Sequence, residues 1–108
     1  MFRAFSDPIR LRILRLLQGG ELCVGDLIVI LRVPQPTASR HLAYLRRVGL
    51  VGARKHGLWS FYSLAPDRGS LHRKLLECLA ACARELPEVA ADAARARVLR
   101  RQGGCCPL

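Results

Sequence analysis

The stretch that most restricts the fold of this chain runs from Val33 to Leu64, VPQPTASRHLAYLRRVGLVGARKHGLWSFYSL. Pro36 suits the first turn of a helix, where its missing N–H costs nothing. Ala38, Leu42, Leu45 and Val48 then form one stripe at helical spacing. Thr37, Arg40, Tyr44 and Arg47 form a second, outward stripe. Gly49 closes the helix. Leu50 to Arg54 and Trp59 to Leu64 read as strands, with Lys55-His56-Gly57 turning between them. Alternation sends Trp59 and Phe61 to one face and Tyr62 to the other, with Phe61 in the core. No Asp or Glu occurs between Asp26 and Asp67, whereas Arg32, Arg40, Arg46, Arg47, Arg54 and Lys55 all fall in that gap. A folded surface of one charge sign attracts a polyanion.

The flanks complete the element order. Phe2 to Phe5 reads as the remnant of a first helix. Ser6-Asp7-Pro8 is a cap with proline in the first turn. Ile9, Ile13, Leu16 and Leu17 follow at helical spacing, and Gly19-Gly20 ends that helix. Glu21 to Leu31 predicts a short, mostly buried helix, and Arg32 to Gln35 a tight connection. Helix, helix, tight turn, helix, hairpin is the order of a winged helix-turn-helix, mainly α with a small β wing. Beyond Pro66, Leu71, Leu75, Cys78 and Cys82 form a stripe on a helix from about Ser70 to Arg84. Pro87 breaks it. Glu88 to Arg101 is helical by propensity, and Gly103-Gly104 loosens a tail ending Cys105-Cys106-Pro107-Leu108. We divide the chain into residues 1–86, for DNA binding and dimerisation, and residues 87–108, a C-terminal helix with a cysteine-bearing tail.

Length and composition agree with one domain. The chain has 108 residues, 51% of them hydrophobic, and a formal net charge of +10. That is too apolar for a disordered basic tail. No run approaches the roughly 20 apolar residues that span a bilayer. The start MFRAFSDPIR lacks the apolar core of a signal peptide, so the expected location is cytoplasmic, with no membrane partner. There the five cysteines read as free thiols, ligands or redox sensors rather than a disulfide framework.

In a helix-turn-helix, the N-terminal half of the second helix enters the major groove. Here that half is Gln35 to His41. Gln35 and Arg40 have the donors and acceptors to read bases, while Thr37 and Ser39 suit phosphates. His41 and Tyr44 border the same surface, each with an alternative role at the core edge. Arg54 and Lys55 at the wing tip suit a backbone or minor-groove contact. The expected partner is double-stranded DNA, of which a dimer would contact two half-sites about one helical turn apart.

FSDPIRLRILRLL, ELCVGDL, QPTASRHLAYLRRVGLV and GARKHGLWSFYSL, taken in that order, resemble the ArsR/SmtB family of metal-sensing repressors over roughly residues 2 to 84. The resemblance implies a winged-helix homodimer that leaves its operator when a thiophilic or divalent metal binds. It also implies dimerisation through the first and fifth helices, the fifth being Ser70 to Arg84. Arsenic-sensing members carry ELCVCDL at the second motif; here Gly25 replaces the second cysteine. Cys23 alone cannot chelate, and we read it as a small buried apolar residue. The family's zinc site needs paired Asp and His ligands, and Asp67 and His72 stand without a second pair.

The input therefore moves to other thiols. Cys105 and Cys106 are adjacent on a loosened tail, and Arg100 and Arg101 favour their thiolates. Cys78 and Cys82 are i and i+4 on one helix, with dimer-core packing as the alternative reading. We expect Cys105 and Cys106, with Cys82 or Cys78, to bind As(III) or an organoarsenical as inducer, Sb(III) being a related case. No organic cofactor is expected. The alternative is a repressor of the same fold released by cysteine oxidation. No cysteine sits in a phosphate-cradling loop, which argues against a thiol enzyme. A purely architectural DNA protein has only the charge in its favour.

Overall fold

The structure, a computed structural model, describes residues 5–66, 70–82 and 85–103; the side chains of residues 70–72 and 82 are outside the description. The expected helix at Phe2 to Phe5, apart from Phe5 itself, the residue Asp67, the His72 side chain and the tail cysteines therefore lie outside the described part. Helix α1 spans Pro8–Gln18. Its start is set by Asp7, whose carboxylate accepts the N–H groups of Ile9 at 2.9 Å and Arg10 at 3.2 Å. These are two of the donors that a helix start leaves without partners.

A difference from the sequence reading follows at once. Leu22–Cys23 is a short strand, β1, and helix α2 begins only at Val24 and runs to Leu31. The wing is accordingly three-stranded, in the order β1-β3-β2, with β2 Val51–His56 and β3 Trp59–Leu64. Both pairings are antiparallel, Cys23 opposite Phe61 and His56 opposite Trp59. Cys23 and Phe61 are buried together beside the main core. The turn is Gly57-Leu58, one step later than the Lys55-His56-Gly57 expected, because β2 pairs with β3 as far as His56. Gly57 supplies the positive φ of 64° that a two-residue hairpin turn needs.

Helix α3 spans Gln35–Arg47. Between α2 and α3 the chain reverses at Arg32, at φ 57° and ψ 44°, with its N–H on the Ile28 carbonyl. Ile13, Leu14, Leu27, Ile30, Leu31, Leu42, Leu45 and Leu50 are all but fully enclosed. Each such side chain contributes roughly 1.5–3 kcal/mol by leaving water. The inner stripe of α3 is as its spacing predicts, with Ala38, Leu42 and Leu45 buried. Helix α4 spans Ser70–Cys82, with Leu79 on its buried side; Cys78 is exposed rather than packed in the stripe. Gln18 Nε2 donates to the Leu76 carbonyl at 2.8 Å and ties α4 to the end of α1.

Helix α5, Pro87–Arg101, packs on α1 and α2. What holds it is a carboxylate with no solvent exposure. Asp92 accepts Arg12 Nε at 2.7 Å, Arg12 Nη2 at 2.8 Å and Arg95 Nη2 at 2.8 Å. The same two guanidinium groups donate to the last carbonyls of α2: Arg12 Nη2 to Leu31 at 2.9 Å and Arg95 Nε to Ile30 at 2.7 Å. Those carbonyls lack helical partners and carry the negative end of the helix dipole, so cations suit them. Asp92 neutralises the cations in turn, and its hydrogen bonding holds the Arg12 pKa above its usual value. Three helices thus meet at the end of α2, immediately before the turn into α3.

Candidate nucleic-acid interface

Helix α3 begins with proline at Pro34 and again at Pro36. Neither has an N–H, so Gln35 is the donor at the tip; the Thr37 and Ala38 N–H groups close on the Pro34 carbonyl at 3.0 and 3.1 Å. Recognition at this tip therefore falls to side chains more than to backbone donors. Gln35, Ser39 and Arg40 are exposed, and Thr37, His41 and Tyr44 are half-buried at the margin. All six lie on α3, and of them Arg40, His41 and Tyr44 share one concave patch while Ala38, Leu42 and Leu45 are buried.

The surface extends onto α1, which sequence reasoning missed. Arg10 lies over the Tyr44 ring, 4.0 Å from its centroid, and Arg47 stands 5.4 Å from the same centroid. Arg10, Arg40, His41, Tyr44 and Arg47 line one shallow concavity. Arg10 also reaches the Asp7 carboxylate at 4.0 Å, so of the two guanidinium groups on the ring it is the exposed one, Arg47, that suits a phosphate. Burial pushes the His41 pKa down, aided by Arg10 and Arg40 and opposed by Asp7. Near neutral pH the ring is therefore uncharged and offers one donor and one acceptor. Nothing local in the sequence marks Arg10, because its partner sits on another helix.

The wing corrects one expectation. Arg54 is not at the tip; Arg54 Nε and Nη2 grip Glu21 at 2.8 and 2.7 Å. Its guanidinium also lies 4.6 Å from the Phe61 centroid. The pair lowers the Glu21 pKa through that hydrogen bond. Arg54 thus braces the wing against the segment before β1, and its charge is locally matched. The exposed end of the wing carries Lys55, His56, Gly57 and Leu58. Among the described residues Lys55 has no acidic partner.

Of the cysteines, Cys78 is an exposed free thiol on α4. The Cys23 side chain is fully buried and caps α2, accepting the Asp26 N–H at 3.4 Å. It is more than the inert apolar residue expected, because it is disulfide-bonded. Its partner lies outside the described side chains. The end of α5 is near: Arg100 Nη2 donates to the Gly20 carbonyl at 3.1 Å, three residues before Cys23. Among the described residues no group of three His, Cys, Asp or Glu side chains could hold a metal ion. No described helix is long and apolar enough to cross a membrane.

A helix-turn-helix whose second helix leads straight into a basic hairpin defines a winged-helix DNA-binding protein. The chain belongs to the ArsR family of bacterial regulatory proteins, whose pattern matches residues 7–52. It is similar to the arsenical resistance operon repressor of Escherichia coli, 42% identical over 86 residues, covering 79% of this chain and 74% of that one. An uncharacterized HTH-type transcriptional regulator of Methanocaldococcus jannaschii is 51% identical over 69 residues, covering 63% of this chain and 78% of that one. Among solved structures, the transcriptional repressor BigR of Xylella fastidiosa superposes with a TM-score of 0.67 at 32% identity, covering 79% and 83% of the two chains. These relatives are transcriptional regulators, not enzymes. Helix-turn-helix regulators of this family bind operator DNA and are typically dimers.

Proposed function

We propose that this chain is a cytoplasmic, homodimeric repressor that leaves its operator when trivalent arsenicals bind its cysteine thiolates. The carrying observation is the match to the arsenical resistance operon repressor across both the reading helix and the wing. The ligands are Cys105 and Cys106 with Cys82 or Cys78, the third thiol coming from the same or the partner subunit. Each thiol that joins arsenic loses its proton, and each As–S bond replaces an As–OH bond with release of water. As(III), its methylated forms and Sb(III) share this chemistry because all are soft, thiophilic centres. Binding near the dimer helices biases the orientation of the two reading heads.

One observation favours a second reading. Cys23 is disulfide-bonded, and Arg100 brings the end of α5 beside the strand that carries it. The residues from Arg100 to Cys105 span at most about 17 Å when extended. On this reading two thiols, Cys23 and one of Cys82, Cys105 or Cys106, lose two protons and two electrons to an oxidant such as hydrogen peroxide, which becomes water. The disulfide then ties the partner segment to the sheet and alters operator affinity.

Operator binding by fluorescence anisotropy separates the two. For the wild type, As(III) should weaken binding by about 5- to 150-fold, the usual size of such coupling. Cys105→Ser/Cys106→Ser should bind the operator as before and ignore As(III). Release that survives in both that variant and Cys78→Ser/Cys82→Ser would rule out the proposed ligand set. A response to peroxide alone, lost in Cys23→Ser, would establish the redox reading instead.

A further inference from the structure

The wing tip carries a residue that folding does not explain. Leu58 is 99% exposed, and Trp59 beside it is 36% exposed. Leu58 is the second residue of a two-residue turn between His56 and Trp59. Such turns favour Gly, Asn, Asp or Ser, whose polar groups serve the backbone there. A leucine at this position buries nothing and satisfies no hydrogen bond. Around it the surface is basic: Lys55 and His56 are exposed on the same ribbon end, and the wing from Val51 to Leu64 contains no acid.

A partner for this tip must accept cations at its rim and an apolar group at its centre. The minor groove of DNA does both, with phosphates along its walls and stacked bases at its floor. It is about 6 Å wide, enough to admit a side chain from the end of a ribbon while the body of the ribbon stays outside. Apolar side chains inserted there part a base step and bend the duplex. We propose that Leu58 is an apolar wedge that enters the minor groove beside each half-site, with Lys55 holding the flanking phosphates. This rests on the operator-binding reading above. It adds sequence preference through deformability, because pyrimidine–purine steps open most easily.

The test uses the full chain and duplexes selected by it from a random pool, with 2-aminopurine placed in the step under the wing. Wild-type binding should raise the 2-aminopurine fluorescence. Leu58→Ser, a residue the turn welcomes, should abolish that rise and weaken binding about tenfold while leaving the salt slope unchanged. Leu58→Met should restore the signal. Lys55→Ala should do the reverse, lowering the salt slope by about one per contact and keeping the fluorescence. Equal affinity and fluorescence for Leu58→Ser and wild type would overturn the wedge. So would a Leu58→Ser defect seen only on phosphatidylglycerol vesicles, which would make the tip a membrane contact. If selection enriches no sequence, the operator reading fails, and the wedge is judged by the same fluorescence on a random duplex.

Discussion

Replacing Asp92 with alanine should destabilise the fold by about 3–5 kcal/mol, the cost of breaking a buried ion pair from one side. Asp92 is fully enclosed, and the Arg12 and Arg95 side chains are only 16% and 26% exposed. Removing the carboxylate leaves both cations facing each other with only the α2 carbonyls as partners. It also removes three hydrogen bonds at 2.7–2.8 Å. Water cannot easily take their place at a site closed by three helices. Thermal unfolding by circular dichroism, at fixed protein concentration, should show a midpoint lowered by on the order of 15 °C or more. Asp92→Asn, which keeps the shape but not the charge, should fall between the two. Because the site lies at the end of α2, operator affinity should drop before global unfolding. A midpoint within a degree or two of wild type would show that α5 is not a structural part of the reading domain.

The second large effect is on DNA binding. A dimer making about 6–10 phosphate contacts should lose roughly 10³- to 10⁵-fold in affinity between 50 and 200 mM salt. The basis is the exposed set Arg40, Arg46, Arg47 and Lys55, on a segment without acids. The structure makes a sharper distinction than the total charge does. Lys55→Ala should reduce the salt slope by about one per phosphate contact, about two in a symmetric dimer. Arg54→Ala should reduce it less, since Arg54 is already paired with Glu21 at 2.7 Å. Its loss should instead loosen the wing. Equal slope changes for the two variants would mean that Arg54 abandons Glu21 for DNA. A shallow slope for the wild type would show that phosphate contacts do not dominate. Salt titrations by fluorescence anisotropy read all of these.

Much of the architecture was legible from local spacing. The stripes Ile9, Ile13, Leu16, Leu17 and Ala38, Leu42, Leu45 mark α1 and α3 because a helix repeats every 3.6 residues. Asp7-Pro8 and Gly19-Gly20 mark the ends of α1, Asp7 through the backbone donors it accepts and Gly20 through its positive φ. Phe61 was placed in the core by alternation alone. Strand β1 was not legible. Leu22 and Cys23 are too few to show a period, and they become a strand only because Tyr62 and Phe61 lie opposite. The turn was misplaced for a related reason: Lys55 and His56 look like turn residues, yet pairing with Ser60 and Trp59 keeps them in β2.

By itself the sequence determined the element order, the inner faces of the helices and the sign of the surface that meets DNA. Each of these depends on residues within a turn or two of one another, so their spacing carries the information. Only the tertiary structure decided what individual charges do. Arg10, Arg12, Arg54 and Arg95 have the same local signature as any surface arginine. One stacks on Tyr44, two share a buried Asp92 and one holds Glu21. For Arg54 and Arg12 those partners lie 33 and 80 residues away along the chain. They meet because the helices dock in one arrangement, and docking is set by the whole apolar core rather than by any one segment.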